Sequence, residues 1–447
     1  MSIAWKAMTE EIRDIFSEHN EVQTWCDFEA ALARAEAAHG LIPDEAAAEI
    51  TAKADASLLD LDVLRDDIAA AVHPIMPFVR LFSAICEDGA GEYVHWGTTT
   101  QDVLDTGWVL RVRQAEAVIS RDLDALIDVL TDLAREHRDT PMAGRTHSQH
   151  AIPITFGYKI AVWVDELRRH ARTLEQIRPE VYALQFGGAT GTLASIGPVG
   201  LDVRETMARD LDLAEPAITW HIPRDRFAHL SFVIAMIASS LQRAAFEIVT
   251  LQRTEVAEVL EPFHHGKVGS STMPHKRNPA ISESMWSFGE LVKNDVRTAL
   301  SSLGSLHERD KAVYTVEVDY LPRVFGHTHR MLEIALRVFG GLTVDADRML
   351  RNFDQSGGML FSEQVMMLVA ERMGRQRAHD VIYDLAMQAF DDGVHLRDAL
   401  LASPEVTERF TAEEIEAMFD PTPLVETAGL LVDEVCPPGA DTREVAQ

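Results

Sequence analysis

Apolar residues recur at helical spacing along most of the chain. Between Trp108 and Thr140 no glycine or proline interrupts the pattern, and Leu123, Leu126, Val129 and Leu130 fall three and four positions apart or side by side on one face. A second uninterrupted stretch runs from Arg224 to Glu261. Helices of this length exceed the globular norm, and they need neighbours that bury a long apolar stripe. The pattern predicts an all-α fold with a central bundle of long helices. Strand-like alternation is short and isolated.

Glycine, proline and threonine punctuation divides the chain into three helical domains. Residues 1–106 carry shorter helices and end in Gly97-Thr98-Thr99-Thr100-Gln101-Asp102. Residues 107–355 hold the central long-helix bundle. Residues 356–447 open at Ser356-Gly357-Gly358 and contain short helices broken near Pro404 and Pro421. The tail from Pro437-Pro438-Gly439 onward reads as frayed.

Composition narrows the function classes. The chain has 447 residues and a formal net charge of −30, with 25% charged positions. Such an acidic balance opposes nucleic-acid binding, which needs a basic surface. Its plainest role is a solvated shell that keeps the protein soluble. An anionic ligand would need a local cluster of donors. Cys26, Cys86 and Cys436 lie far apart, so neither a disulfide framework nor a zinc site is suggested, and no metal or organic cofactor is expected. The charged N-terminus lacks a signal-peptide core, and no apolar run approaches a membrane span. A reduced, cytoplasmic setting without membrane contact is the expectation.

Three polar, glycine-containing segments interrupt the helical pattern. In His95-Trp96-Gly97-Thr98-Thr99-Thr100-Gln101-Asp102, one threonine suffices to cap the following helix, but three are present. Either they are caps, or hydroxyls and N–H groups at a helix N-terminus cradle a carboxylate. Gly144-Arg145-Thr146-His147-Ser148-Gln149-His150 places two histidines in a polar turn before another helix. They either satisfy loop carbonyls or transfer protons near neutral pH. Gly269-Ser270-Ser271-Thr272-Met273-Pro274-His275-Lys276-Arg277-Asn278-Pro279 offers anion donors in an acidic chain, and Pro279 suits the start of the helix carrying Glu283. Such a basic loop is also compatible with plain surface.

Taken together, the segments resemble those of the fumarase/aspartase superfamily. The third is similar to that superfamily's signature loop, including the spacing from Ser270 to Glu283. The similarity extends through Gln185-Phe186-Gly187-Gly188-Ala189-Thr190-Gly191-Thr192, Arg224-Asp225-Arg226 and His307-Glu308-Arg309-Asp310, and so spans essentially the whole chain. Within the superfamily it looks like the branch of adenylosuccinate lyase and 3-carboxy-cis,cis-muconate cycloisomerase, with Gly374-Arg375 and Ala378-His379 leaning toward the latter.

The resemblance implies roles for individual residues. Ser270 would be the general base, His147 the proton donor to the leaving group, and Glu283 the carboxylate that pairs with it. Thr99, Thr100, Thr146, Lys276, Asn278, His95 and Arg224 would bind a small dicarboxylate substrate. The resemblance also implies a homotetramer whose active sites are shared between subunits. Departures from the family pattern limit the substrate. Where adenylosuccinate lyases carry phosphate-binding residues, this chain reads Ala4-Trp5 and Val318. Bacterial cycloisomerases often lack a histidine at the position of His147, and they tend to have tryptophan where Tyr314 stands. Fumarase and aspartase normally have valine where Arg277 stands. The expectation is a lyase that eliminates from a small substituted succinate, of N-substituted aspartate type, and releases fumarate. Cycloisomerase is the first alternative and adenylosuccinate lyase the second.

Overall fold

The computed structural model describes residues 8–263, 273 and 275–439. It is 69% helical, the all-α class that the apolar spacing predicts. The longest helices are Thr100–Glu136 with 37 residues, Phe156–Val181 with 26, Asp225–Leu251 with 27, Ala280–Ser301 with 22 and Ala312–Phe339 with 28. Shorter ones precede them, among them Glu18–Ala38 and Ile75–Ile85, and others follow from Ala346 to Val435.

Two helix limits differ from the reading of the punctuation. The first long helix starts at Thr100 and runs through Gly107. A Cβ at Gly107 would lie 3.0 Å from Thr24 Oγ1 and 3.2 Å from Trp25 Cδ1. This glycine is therefore a close-approach point for the Glu18–Ala38 helix, not a breaker. The helix from Asp225 stops at Leu251, well short of Glu261, and the chain turns into a short strand, Val259–Leu260, that pairs with Thr343–Val344. On length and composition alone the Asp225–Leu251 helix would cross a membrane, but 61% of its apolar window is buried inside the protein. Packing accounts for that apolar surface.

The chain divides into two compact units. The first comprises Met1–Leu123, Arg169–Gln242 and Ser287–Glu333, and the second Asp124–Arg168, Arg243–Trp286 and Ile334–Gln447. In the first, Trp25 meets Phe78 edge-on at 5.5 Å, and Phe78 stacks on Phe82 at 5.6 Å. These rings anchor the Ile75–Ile85 helix, just beyond His73. In the second, Phe353, Leu360, Val365, Ile382, Leu400, Phe410 and Ile415 form an apolar cluster that also takes in Ala143.

Ala143 belongs to a β-hairpin that helical periodicity did not foresee. Strand β1 (Pro141–Thr146) pairs antiparallel with β2 (Gln149–Thr155), with Met142 opposite Ile154 and Thr146 opposite Gln149. The register is broken between Ala143 and Arg145. Gly144 sits there because a Cβ would lie 2.6 Å from the Ile152 carbonyl. His147 and Ser148 form the turn with φ values of 50° and 65°. That is the two-residue left-handed turn that matches strand twist and that Asn-Gly usually supplies. A histidine and a serine held there store of order 1–3 kcal/mol each, a burden that clusters at functional sites. The expected polar turn ahead of a helix is present, but its flanks are strands.

Candidate active site

In the first unit the threonine turn is built around one buried carboxylate. Asp102 lies in the first turn of the Thr100–Glu136 helix and has no solvent exposure. Its Oδ2 accepts from Thr98 Oγ1 at 3.1 Å, Thr99 N at 3.1 Å and Gly188 N at 2.9 Å. Its Oδ1 accepts from Gly187 N at 3.0 Å and Gln185 Nε2 at 3.3 Å, and meets His221 Nε2 at 2.8 Å. A carboxylate so placed, in the first helical turn, reaches back to the N–H of Thr99 ahead of the helix and holds the glycine loop at once. Asp102 thereby fastens Thr98-Thr99-Thr100 to the glycine-rich Gln185–Gly188 segment. The sequence alone shows Asp102 only as one more acidic residue after the threonines. Its place just inside the helix that the threonines open was the available signal.

The hydroxyls beyond Asp102 are also engaged. Arg309 Nη1 donates to Thr99 Oγ1 at 2.6 Å. His73 Nε2 lies 3.2 Å from Thr100 Oγ1, while His73 Nδ1 accepts from Met76 N at 3.2 Å. His95 has a left-handed φ of 64°. Its backbone N donates to Glu29 Oε2 at 2.9 Å, and its Nδ1 sits 2.6 Å from Glu29 Oε1, with the Glu29 side chain fully buried. Burial opposes a charge on His95, but the charge and hydrogen bond of Glu29, with Asp102 adding, outweigh it and raise the pKa. His73 moves the other way. Burial lowers its pKa, and the cations Lys311, His95 and Arg309 lower it further. These groups gather positive charge at the threonine turn of a chain whose net charge is −30. That is the local donor cluster an anionic ligand requires.

Arg224 is the exception among the expected binding residues of this unit. It is 2% exposed. Its Nη1 and Nη2 donate to Asp105 at 2.8 and 2.9 Å, and its Nε and Nη2 donate to Glu317. The guanidinium also lies 5.2 Å from the Trp220 ring. With both carboxylates holding it in the interior, Arg224 is withdrawn from any dissolved ligand, which corrects its expected role in binding substrate. It braces Asp105, one helical turn beyond Thr100 to Asp102.

In the second unit the hairpin is braced from behind. Arg145 Nη1 and Nη2 donate to Glu258 Oε2 and Oε1 at 3.0 and 2.6 Å, and Asn352 Nδ2 donates to the same Oε1 at 2.7 Å. Glu258 is fully buried. Beyond this brace Thr146, His147 and Ser148 are exposed, and Gln149 follows them into the solvent. His150, half-buried, has its pKa lowered by burial and by the Arg145 charge, with Glu258 opposing.

The Ala280–Ser301 helix carries Glu283 in its first turn, exposed. Its early N–H groups are already taken, because Glu261 accepts from Ser282 N at 2.6 Å and Ile281 N at 3.3 Å. Gln252 ties the entry to that helix by donating to the Arg277 carbonyl at 2.9 Å and accepting from Glu261 N at 2.8 Å. Lys276 is exposed and Asn278 half-buried on this approach. Ser270 lies outside the described residues, as do Ala4 and Trp5. Val318, at the position where adenylosuccinate lyases carry a phosphate-binding residue by the resemblance, is 44% exposed on the Ala312–Phe339 helix. Within the first unit the structure thus brings together Thr99, Thr100, His73 and Arg309, with His95 nearby. Within the second it presents Thr146 and His147 on one hairpin and Lys276, Asn278 and Glu283 on one loop and helix start.

Residues 4–292 match the family described as Lyase, and residues 358–435 match the family described as Adenylosuccinate lyase C-terminus. The chain is 38% identical to N-acetyl-S-(2-succino)cysteine lyase of Enterococcus italicus, over 96% of this chain and 94% of that one. Among solved structures it is similar to fumarate lyase from Mesorhizobium sp. BNC1, with a TM-score of 0.91, 39% identity, and 98% and 99% of the two chains covered. It is also similar to the 3-carboxy-cis,cis-muconate lactonizing enzyme of Pseudomonas putida, with a TM-score of 0.90, 37% identity, and 96% of each chain covered.

Proposed function

Because this chain belongs to the fumarase/aspartase superfamily of lyases, we propose that it eliminates a leaving group from a small substituted succinate and releases fumarate. The observation that carries this reading is the threonine turn, where Thr99 and Thr100 present hydroxyls among Arg309, Lys311, His73 and His95. Such a turn suits one substrate carboxylate. Lys276 and Asn278 suit the other. Ser270 would take the proton from the carbon beside a carboxylate, and the electron pair would pass into that carboxylate. The resulting dianion needs fixed donors around it. As it collapses, the double bond of fumarate forms and the bond to the heteroatom breaks, with His147 supplying the proton. Ser270 and His147 lie in different polar segments, and the exposure of His147 and Glu283 suits a site completed by other subunits of a homotetramer.

The leaving group is proposed to be small, an amine or a thiol. Similarity to N-acetyl-S-(2-succino)cysteine lyase supports a thiol. A nucleotide leaving group has less support, because Val318 stands where the resemblance puts a phosphate-binding residue of adenylosuccinate lyases. The test runs the reaction backward. Purified protein with fumarate and a panel of small amines and thiols should yield addition products by mass spectrometry. The Ser270→Ala variant should lower that rate at least about a hundredfold while fumarate still binds. Absence of any adduct, together with lactone formation from 3-carboxy-cis,cis-muconate, would favour the cycloisomerase reading. The similarity to the lactonizing enzyme of Pseudomonas putida keeps that reading in view.

A further inference from the structure

We infer that His73 is a positioning residue that turns the Thr100 hydroxyl into a dedicated donor for a ligand carboxylate. The argument rests on which ring nitrogen carries the proton. The backbone N–H of Met76 has only a hydrogen to offer, and it points at His73 Nδ1 from 3.2 Å. Nδ1 must therefore keep its lone pair, and in the neutral ring the proton sits on Nε2. That Nε2 lies 3.2 Å from Thr100 Oγ1. The contact is then a donation from histidine to threonine. A hydroxyl oxygen that accepts there still has its own hydrogen, which is left for an outside acceptor.

Three further observations agree. The neighbouring Thr99 Oγ1 is loaded in the same sense, accepting from Arg309 Nη1 at 2.6 Å. Thr99 and Thr100 are thus both supplied with donors, and their two hydroxyl hydrogens remain for a group that only accepts, whereas Thr98 gives its own to Asp102. An ionised carboxylate is such a group, whereas an alcohol or amide is a poorer match. The neutral state that the tautomer argument needs is favoured, since burial and the surrounding cations lower the His73 pKa. The backbone that aims the ring is also fixed: His73 sits just ahead of the Ile75–Ile85 helix, whose Phe78 and Phe82 are fully buried. His73 acts through Thr100 and is not placed among the reacting atoms.

This inference rests on the proposal that Thr99 and Thr100 hold a carboxylate, and its test separates the two. Fumarate binding is measured by calorimetry for the wild type, His73→Leu, His73→Gln, Thr100→Val and the double variant His73→Leu/Thr100→Val. Circular dichroism and thermal unfolding check that each remains folded. Loss of one charge-assisted hydrogen bond should weaken fumarate roughly tenfold or more in Thr100→Val. His73→Leu should weaken it by a similar factor, and the double variant should be no weaker than Thr100→Val alone. A glutamine can accept from Met76 through its oxygen and donate to Thr100 through its nitrogen, so His73→Gln should recover most of the affinity. If Thr100→Val is weakened and His73→Leu binds like the wild type, the role of His73 is wrong and the threonine site stands. Additive losses without rescue by glutamine would make His73 merely structural, which also overturns the inference. Normal fumarate binding by Thr100→Val would overturn the carboxylate site itself, and the role of His73 with it.

Discussion

The threonine turn and the His147 hairpin are both short polar loops held by a buried carboxylate, yet the two carboxylates work differently. Asp102 takes neutral donors, namely backbone N–H groups, a hydroxyl and an amide, with His221 beside them. The side chains it positions are then engaged again, Thr99 by Arg309 and Thr100 by His73. Glu258 instead forms an ion pair with Arg145 behind the hairpin. The residues at its tip, Thr146, His147 and Ser148, stay exposed. One loop is organised down to its hydroxyl hydrogens; the other is organised only in its backbone. That contrast suits their proposed tasks. A binding loop gains from donors fixed in advance, because affinity improves when ordering is already done. A proton-transfer group must meet a substrate and a partner carboxylate, and a braced hairpin with a strained, open tip leaves it free to do so.

The contrast is broken most severely at the hairpin tip. His147→Asn should lower turnover by about a hundredfold to ten-thousandfold, the usual contribution of a positioned proton donor. Fumarate affinity should change little. The loss should be larger for amine leaving groups than for thiols, since a thiolate departs with less need of a proton. Steady-state kinetics on one substrate of each kind measures this. Equal losses for both, or a loss confined to KM, would remove His147 from the acid role.

Behind the tip, Arg145→Leu leaves Glu258 buried with its main charge partner gone. Breaking a buried pair by removing one member costs about 3–5 kcal/mol. Urea unfolding should show a loss of that size, and His147-dependent turnover should fall with it. A neutral outcome would mean that Asn352 and the bulge at Gly144 hold the hairpin alone. Asp102→Asn is the matching change in the other loop and should cost a comparable amount, because each oxygen of Asp102 faces three groups. An amide retains one acceptor oxygen, so some of the donors now facing Asp102 lose their partner, at about 1–3 kcal/mol per buried group. Here fumarate affinity should weaken more than turnover, the reverse of the His147 pattern.

How much of this was legible in the sequence follows from what each feature depends on. The long helices were legible because a 3.6-residue apolar period is local, and the all-α class followed from it. The hairpin escaped because its strands are short, Pro153 lies within β2, and its turn uses His147-Ser148 in place of the residues that signal one. Gly107 misled the helix limit because its reason is Trp25, far away in the chain. The threonine and histidine segments stood out as polar interruptions in an apolar pattern. Asp102, Glu29 and Glu258 did not, since a buried carboxylate looks like any surface acid until its donors arrive from elsewhere. Arg224 failed in the opposite way. Its place in a recognisable stretch suggested a ligand, and only Asp105 and Glu317 show that its charge is matched internally.

The smallest expected effect concerns His95 and Glu29, at the edge of the threonine turn. His95 has its pKa raised above the ordinary 6.5, because the Glu29 charge and hydrogen bond outweigh burial. A histidine raised on folding stabilises the native state fully below its unfolded pKa. That contribution is lost as pH climbs through the higher, folded pKa. Glu29→Gln removes the charge and retains one acceptor oxygen, for either the ring or the backbone N–H of His95, so the His95 pKa should fall. The stability difference between the wild type and Glu29→Gln should therefore shift against the wild type as pH rises from about 6.5, by no more than about 1.4 kcal/mol per pH unit. The comparison cancels most other titrating groups, which both proteins share. One of them is Glu36, which burial, with the Glu29 charge adding, pushes up to about 9; removal of that charge should lower it somewhat, so the reading is best taken between pH 6 and 8. Urea unfolding across that range gives the slope, and an NMR titration of the His95 ring gives its sign independently. A slope in the opposite direction, or an unchanged ring pKa in the variant, would mean that the contact at 2.6 Å holds a neutral ring. The threonine turn would then have one cation fewer to offer its carboxylate.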